Sequence, residues 1–113
     1  MSTGSLSALR SGLIDTAEAI ELAELFKLLG DPTRTRILHA LLTGEELCVG
    51  DLAEIVGVPE SSVSHALRLL RTAGVVRNRR DGRTIYYALD DAHVRLVLEL
   101  SLQHLRHDDG ERR

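Results

Sequence analysis

Apolar residues recur at helical spacing along most of the chain, and polar breaks rich in glycine or proline divide this pattern into segments. Asp15 and Asp31 each stand just before such a segment, at the position of a helix N-cap. Pro32 suits a first helical residue, whereas Gly57 and Gly74 suit helix ends. The pattern therefore predicts four helices in the first two thirds of the chain, over residues 15–29, 31–44, 49–57 and 59–74.

The third and fourth predicted helices are joined by a tight turn over residues 57–60, which is typical of a helix-turn-helix. The fourth helix separates an apolar side from a side with short polar residues at its front and arginines behind them. That arrangement suits a helix whose N-terminal end enters the major groove of DNA. A solvated face without a DNA partner is the alternative interpretation. The candidate DNA-contacting residues of this helix are Ser61, Ser62, Ser64, His65, Arg68 and Arg71.

Residues 75–89 predict a β-hairpin, because Asp81-Gly82 is a two-residue turn signal between strand-forming residues such as Val76 and Ile85. Arginines cluster around this turn. A basic hairpin directly after a helix-turn-helix is typical of a wing, which lies along the phosphate backbone or in the minor groove. A basic loop without such a role is the alternative. The wing candidates for DNA contact are Arg77, Arg79, Arg80 and Arg83.

The last helical segment, Asp91–His107, contains three of the chain's five histidines and begins with an aspartate. Asp91 and His93 converge if Asp91 caps the helix, and His104 and His107 lie on adjacent turns. His93 and His104 share a face but are roughly 16 Å apart along the helix axis, which is too far for one ion. Each end of the helix therefore carries half of a candidate metal site.

Antiparallel pairing of this helix with its own copy in a homodimer would complete both half-sites. Asp91 and His93 of one chain would then meet His104 and His107 of the other, with the crossing near residues 98–100. Three imidazoles and one carboxylate suit tetrahedral Zn(II), and Co(II) would fit similarly, whereas Ni(II) needs more ligands. A dimer interface that merely contains histidines is the alternative. The predicted apolar seam consists of Val94, Val97, Leu98, Ser101, Leu102 and Leu105.

The net charge of −3 at first argues against nucleic acid, but the charge is unevenly distributed. Residues 61–87 hold six arginines and one acidic residue, a net charge of +5, whereas residues 1–60 carry a net charge of −6. A basic face on an acidic body fits a DNA-binding domain. The single cysteine, Cys48, excludes an internal disulfide and a zinc ribbon.

With 113 residues, 43% of them hydrophobic, the chain is expected to form one domain over residues 13–107, between a disordered arm (1–12) and a polar tail (108–113). No run is long enough to span a membrane and the first residues lack a signal-peptide core, so a cytoplasmic location is expected. A zinc hydrolase needs an open coordination position and a general base, and four protein ligands leave neither. We therefore expect no enzyme activity and no small-molecule substrate.

Three stretches together resemble the ArsR/SmtB family of bacterial metal-sensing repressors: residues 25–42, 51–76 and 79–94. The resemblance implies a mainly α fold with a β-hairpin wing (α+β), a winged helix-turn-helix that dimerises through its first and last helices. Some members carry a Cys-x-Cys segment where this chain has only Cys48, which we expect to be a structural thiol.

The last helix resembles the zinc-sensing subset of that family, whose four ligands would correspond to Asp91, His93, His104 and His107. The resemblance also implies the sign of regulation: the metal-free dimer binds operator DNA and represses, and metal releases it. A nickel- or cobalt-responsive repressor of the same fold and a metal-independent winged-helix regulator are the alternatives.

Overall fold

A computed structural model of the chain describes residues 3–111, with side chains described from residue 5 to residue 106. The helices predicted between residues 15 and 74 are confirmed, and their ends differ from the predicted ones by two residues at most. The elements, in chain order, are α1 (Thr3–Gly12), α2 (Thr16–Leu29), α3 (Pro32–Gly44), β1 (Leu47–Cys48), α4 (Val49–Val56), α5 (Glu60–Thr72), β2 (Val76–Asp81), β3 (Thr84–Leu89) and α6 (Ala92–Glu111).

The corner between α2 and α3 is held by hydrogen bonds from the first turn of α3. Asp31 caps α3 as predicted, and its Oδ2 accepts from the backbone N of Arg34 at 3.0 Å. The side chains of this turn reach back to the end of α2: Nε of Arg34 donates to Leu28 O at 2.7 Å, and the Thr35 hydroxyl donates to Leu29 O at 2.7 Å. Carbonyls that α2 leaves without helical partners are thereby satisfied.

The hydrophobic core lies where α3, α4 and α5 meet the sheet. The helix-turn-helix consists of α4 and α5, and α3 is a third helix that packs against it. Gly57 between them has a φ of +77°, in the left-handed region that glycine adopts without steric cost. The largest fully buried side chains are those of Ile37, Leu38, Leu41, Leu52, Val63, Leu67 and Leu70.

The strands form one antiparallel sheet in the order β1-β3-β2, with the hairpin β2–β3 as the wing. Asp81 pairs with Thr84, so the two loop residues are Gly82 and Arg83, one position later than the predicted Asp81-Gly82. Gly82 has a φ of +64° and Arg83 does not have a positive φ, which fits a type II′ turn. Because that turn needs glycine at its first loop position, Asp81 remains in the strand.

Both ends of the described chain are more helical than the sequence suggests. Residues 3–12, where the sequence predicts a disordered arm, form α1, and α6 continues to Glu111 through the residues predicted as a polar tail. Leu6 and Leu9 lie three residues apart in α1, which gives it an apolar stripe. The predictions for residues 1–2 and 112–113 lie outside the described residues. None of the helices in the described part of the chain combines the length and apolar composition needed to cross a membrane.

Candidate DNA interface and metal-binding helix

The second helix of the helix-turn-helix, α5, is the predicted recognition helix, which would enter the DNA groove, and it has the two faces that its sequence predicts. Val63, Ala66, Leu67 and Leu70 are buried against the core. All six polar residues predicted for the opposite face are exposed: Ser61, Ser62, Ser64, His65, Arg68 and Arg71. The helix is therefore anchored along one side and free to meet a partner along the other.

A polar cleft of about 420 Å³ runs between α5 and the sheet. Ser64, Arg68 and Arg71 line it from the helix, and Tyr87 of β3 lines it from the sheet. Two guanidinium groups thus stand at the junction of recognition helix and wing. That junction is suited to a phosphate group of a duplex whose groove receives α5.

The wing arginines differ in what they contact. Nη1 of Arg77 donates to the backbone oxygens of Leu89 at 3.1 Å and Asp90 at 2.9 Å. This side chain ties the start of β2 to the segment that leads from β3 into α6. The side chains of Arg80 and Arg83, at the hairpin end, are exposed and have no hydrogen bond or ion pair among the described residues.

Arg79 forms a two-pronged ion pair with Glu46, a residue that the sequence did not mark as functional. Nε of Arg79 lies 2.8 Å from Oε2 of Glu46, and Nη2 lies 2.9 Å from Oε1. The same guanidinium lies over the ring of Tyr86, 4.9 Å from its centroid. The hydrogen bond from Arg79 is the main cause that lowers the pKa of Glu46, and the bond to Glu46 likewise raises the pKa of Arg79.

Asp91 caps α6 and also faces His93. Its Oδ1 accepts from the backbone N of Val94 at 3.0 Å, and its Oδ2 lies 3.8 Å from Nδ1 of His93. The hydrogen bond from Val94 is the main cause that lowers the pKa of Asp91, with a smaller contribution from the charge of His93. The local convergence of Asp91 and His93 that the sequence predicts is thus present, and one carboxylate oxygen remains directed to the imidazole.

The apolar residues of α6 divide into two faces, and this corrects the predicted seam. Val94 and Leu98 pack against the core of their own domain. Arg95 fixes this orientation, because its Nη1 donates to Leu42 O at the end of α3, 3.1 Å away. Half-buried Leu102 follows on the same side. Val94 and Leu98 are therefore covered within the protomer. Leu102 and Leu105 of the predicted seam lie on the same side of the helix as these two residues.

The opposite face of α6 carries His93 and His104 together with exposed apolar side chains. Leu96, Val97 and Leu100 are 53%, 48% and 54% exposed. At about 100° per residue, positions 93, 97, 100 and 104 fall within roughly 60° of one another around the helix. His93 and His104 thus share an uncovered apolar stripe.

One protomer does not bring the three described candidate ligands, Asp91, His93 and His104, together. His104 lies three helical turns beyond His93, and the side chain of His107 lies outside the described residues. In the part of the chain that the structure describes, no three His, Cys, Asp or Glu side chains are close enough to hold one ion.

Further apolar side chains are uncovered on the first two helices and in the segment between them. α2 contributes no buried residue to the core. Exposure of this kind on several helices is typical of a surface that another subunit covers. The exposed large apolar residues of residues 5–26 are Leu6, Leu9, Leu13, Ile14, Ile20, Leu22 and Phe26.

Comparison with known proteins identifies what this architecture is similar to. Residues 31–78 match the family described as bacterial regulatory protein, arsR family. The chain is 46% identical over 92 residues to the transcriptional repressor SmtB homolog of Synechocystis sp., covering 81% of this chain and 69% of that protein.

Solved structures give the same picture. The crystal structure of the antimony-specific transcriptional repressor AntR superposes with a TM-score of 0.77 at 41% identity, covering 87% of this chain and 88% of that one. The homodimeric winged helix-turn-helix domain Mb0332 of Mycobacterium bovis, a possible ArsR-family regulator, has a TM-score of 0.74 at 28% identity, covering 90% and 94%. The winged helix-turn-helix predicted from the sequence is confirmed.

Proposed function

We propose that this chain, which belongs to the arsR family of bacterial regulatory proteins, is controlled by Zn(II). The ion binds between the last helices of a homodimer and releases the dimer from operator DNA. The chain is a DNA-binding transcriptional regulator and not an enzyme. We assign contact with base edges to the outer face of α5 and contact with phosphates to the arginines of the α5 cleft and the wing tip. The observation that carries the regulatory part is the shared uncovered face of His93, Val97, Leu100 and His104.

A homodimer that pairs α6 with its own copy explains that face. In an antiparallel pair of identical helices, the residue numbers of two facing positions always add up to the same total. Positions 93 and 104 give the same total as positions 97 and 100. One register therefore places Val97 against Leu100 and His93 against His104 of the two subunits. In this register the two helices still cross near residues 98–100, as predicted. Val97 and Leu100 take the place of Val94, Leu98 and Leu102 at the centre of the predicted seam. The neighbour described as homodimeric supports such an assembly.

The donor set of this register fits Zn(II). Oδ2 of Asp91 and the His93 imidazole would provide two ligands, and His104 and His107 of the other subunit would provide two more. Imidazole and carboxylate donors are ordinary ligands of tetrahedral zinc, and the set contains no thiolate to favour a softer ion. Bound Zn(II) would supply a cross-link between the two α6 helices. Co(II) would suit the same donors, and Ni(II) would require additional ones.

Two hydrogen bonds at the start of α6 connect it to the DNA-binding parts of the protomer. Arg77 of β2 holds Asp90 O, one residue before the ligand Asp91, and Arg95 of α6 holds Leu42 O at the end of α3. A change in the orientation of α6 would therefore strain the wing strand and α3 together. Reciprocal coupling follows: if metal weakens DNA binding by some factor, DNA weakens metal binding by the same factor.

The test uses His104→Ala with His39→Ala as its matched control. His39 is also an exposed helical histidine, but it lies on α3 and outside the proposed ligand set. The probe is a duplex selected from a random library by the metal-free protein. We expect His104→Ala to bind this duplex as the wild type does and to remain bound when zinc is added, whereas His39→Ala should be released.

Release of the His104→Ala variant by zinc would contradict the ligand assignment. A wild-type protein that binds the duplex but ignores zinc would contradict the zinc assignment and leave a winged-helix regulator that responds to another ion or is metal-independent.

A further inference from the structure

The three arginines of strand β2, Arg77, Arg79 and Arg80, lie on two different faces of the sheet. Residues directly opposite each other in antiparallel strands point to the same face, and neighbours along a strand alternate. Arg80 pairs with Ile85, two positions from Tyr87, so it shares the face that Tyr87 turns to the α5 cleft. Arg79 pairs with Tyr86 and therefore lies on the other face, away from the recognition helix.

Glu46 reaches that outer face through an unusual turn. Glu45 has φ 65° and ψ −65°, and the backbone N of Glu46 donates to Gly44 O at 2.8 Å, which closes a three-residue γ-turn. A positive φ in a residue with a side chain costs roughly 1–3 kcal/mol, and such a conformation persists only where surrounding contacts hold it. Here β1 follows at once, and the Glu46 carboxylate spans β3 to reach Arg79 on β2.

We propose that Glu46 is a positioning residue for DNA binding: through Arg79 it fixes the wing to the end of α3, and it leaves Arg80 and Arg83 as the wing residues that contact phosphate. Arg77 and Arg79 hold the wing and do not contact DNA. The inference rests on DNA binding by the winged helix and is independent of the metal.

The salt dependence of DNA affinity distinguishes a wing arginine that contacts phosphate from one that only holds the wing. Each phosphate contact that is lost makes the slope of log K against log salt shallower by about 0.9. An arginine that only holds the wing changes the affinity without changing that slope. Removing the Glu46 charge should by itself strengthen binding to a polyanion, so a loss of affinity in Glu46→Gln reports lost positioning.

The experiment measures binding of a fluorescein-labelled random-sequence duplex by anisotropy at a series of salt concentrations. Arg80→Gln and Arg83→Gln should each make the slope shallower by about 0.9 for each subunit that contacts DNA. Arg79→Gln should keep the wild-type slope. Glu46→Gln should keep it as well and weaken binding by up to about fivefold, the upper range for an exposed ion pair.

Glu45→Gln is the matched control, because it removes the same charge from the neighbouring residue, which is exposed and has no ion pair among the described residues. It should bind at least as tightly as the wild type. The double variant Glu46→Gln/Arg79→Gln should bind no more weakly than Arg79→Gln alone, since both substitutions break the same ion pair and the second one also removes a negative charge. Thermal unfolding of each variant shows that the fold is retained.

A shallower slope for Arg79→Gln would overturn the inference, because it would make Arg79 a phosphate contact. Equal affinities of Glu46→Gln and Glu45→Gln would overturn it as well. Failure of the wild-type protein to bind any duplex would count against the DNA-binding function. This outcome is distinct from one in which only the proposed function of the Glu46–Arg79 ion pair is wrong.

Discussion

Leu100 offers a direct test of the proposed pairing of α6. Its side chain is 54% exposed and lies between the two histidines on the uncovered face. Full burial of a leucine side chain contributes about 1.5–3 kcal/mol, so covering half of it contributes roughly 1 kcal/mol. The two-fold axis makes this contribution twice, which amounts to about 2 kcal/mol per dimer. Because about 1.4 kcal/mol corresponds to a factor of ten, Leu100→Ala should raise the dimer dissociation constant roughly 30-fold.

Sedimentation velocity over a concentration series measures this constant. Leu105→Ala is the control, since Leu105 is 61% exposed on the same helix but is turned by roughly 140° from Leu100. The control should dimerise like the wild type. An unchanged constant for Leu100→Ala, or an equal weakening by Leu105→Ala, would refute the register.

Two further substitutions test local features of the structure. The substitution Asp91→Asn keeps a capping side chain but removes a titrating group. The pKa of Asp91 is lowered on folding. The stabilising contribution of Asp91 is therefore complete above the pKa of the unfolded state and is lost as the pH falls through the pKa of the folded state. Asp91→Asn should therefore flatten the acid limb of stability against pH in urea titrations, and an unchanged limb would contradict the cap. Glu45→Gly should raise the unfolding free energy by about 1 kcal/mol, since glycine adopts a positive φ freely; a lower urea midpoint would contradict the strain.

Periodicity was sufficient to predict the helix-turn-helix, because its helices are amphipathic and end at capping residues. The inner face of α5 is buried and its outer face is exposed, as Val63 and His65 illustrate. The two residues of β1 are too few to show any pattern, so this strand could not be predicted. Without β1, nothing in the sequence indicates that Glu46 lies beside the wing.

The orientation of the last helix could not be predicted from the periodicity of its apolar residues. Val94, Val97, Leu98 and Leu100 give α6 apolar residues on more than one side, and the sequence does not say which side faces its own domain. The structure settles this through Arg95, whose bond to Leu42 O turns Val94 and Leu98 inward. A local feature was predictable: Asp91 caps the helix and thereby approaches His93.

The wing arginines illustrate a similar limit. A cluster of positive charges indicates an anionic partner, but charge alone does not distinguish a free guanidinium from one that binds within the domain. Arg77 and Arg79 have partners in the backbone of residues 89–90 and in Glu46, whereas Arg80 and Arg83 do not have such partners among the described residues. Strand register, which depends on Gly82, decides this difference.

The central claim is a tetrahedral metal site shared between two α6 helices, and a cobalt(II) titration of the wild-type protein followed by visible absorption tests it most directly. We predict intense absorption that saturates at one ion per chain, that zinc abolishes, and that His104→Ala lacks. Weak absorption, typical of a six-coordinate ion, or no binding at all would contradict the claim.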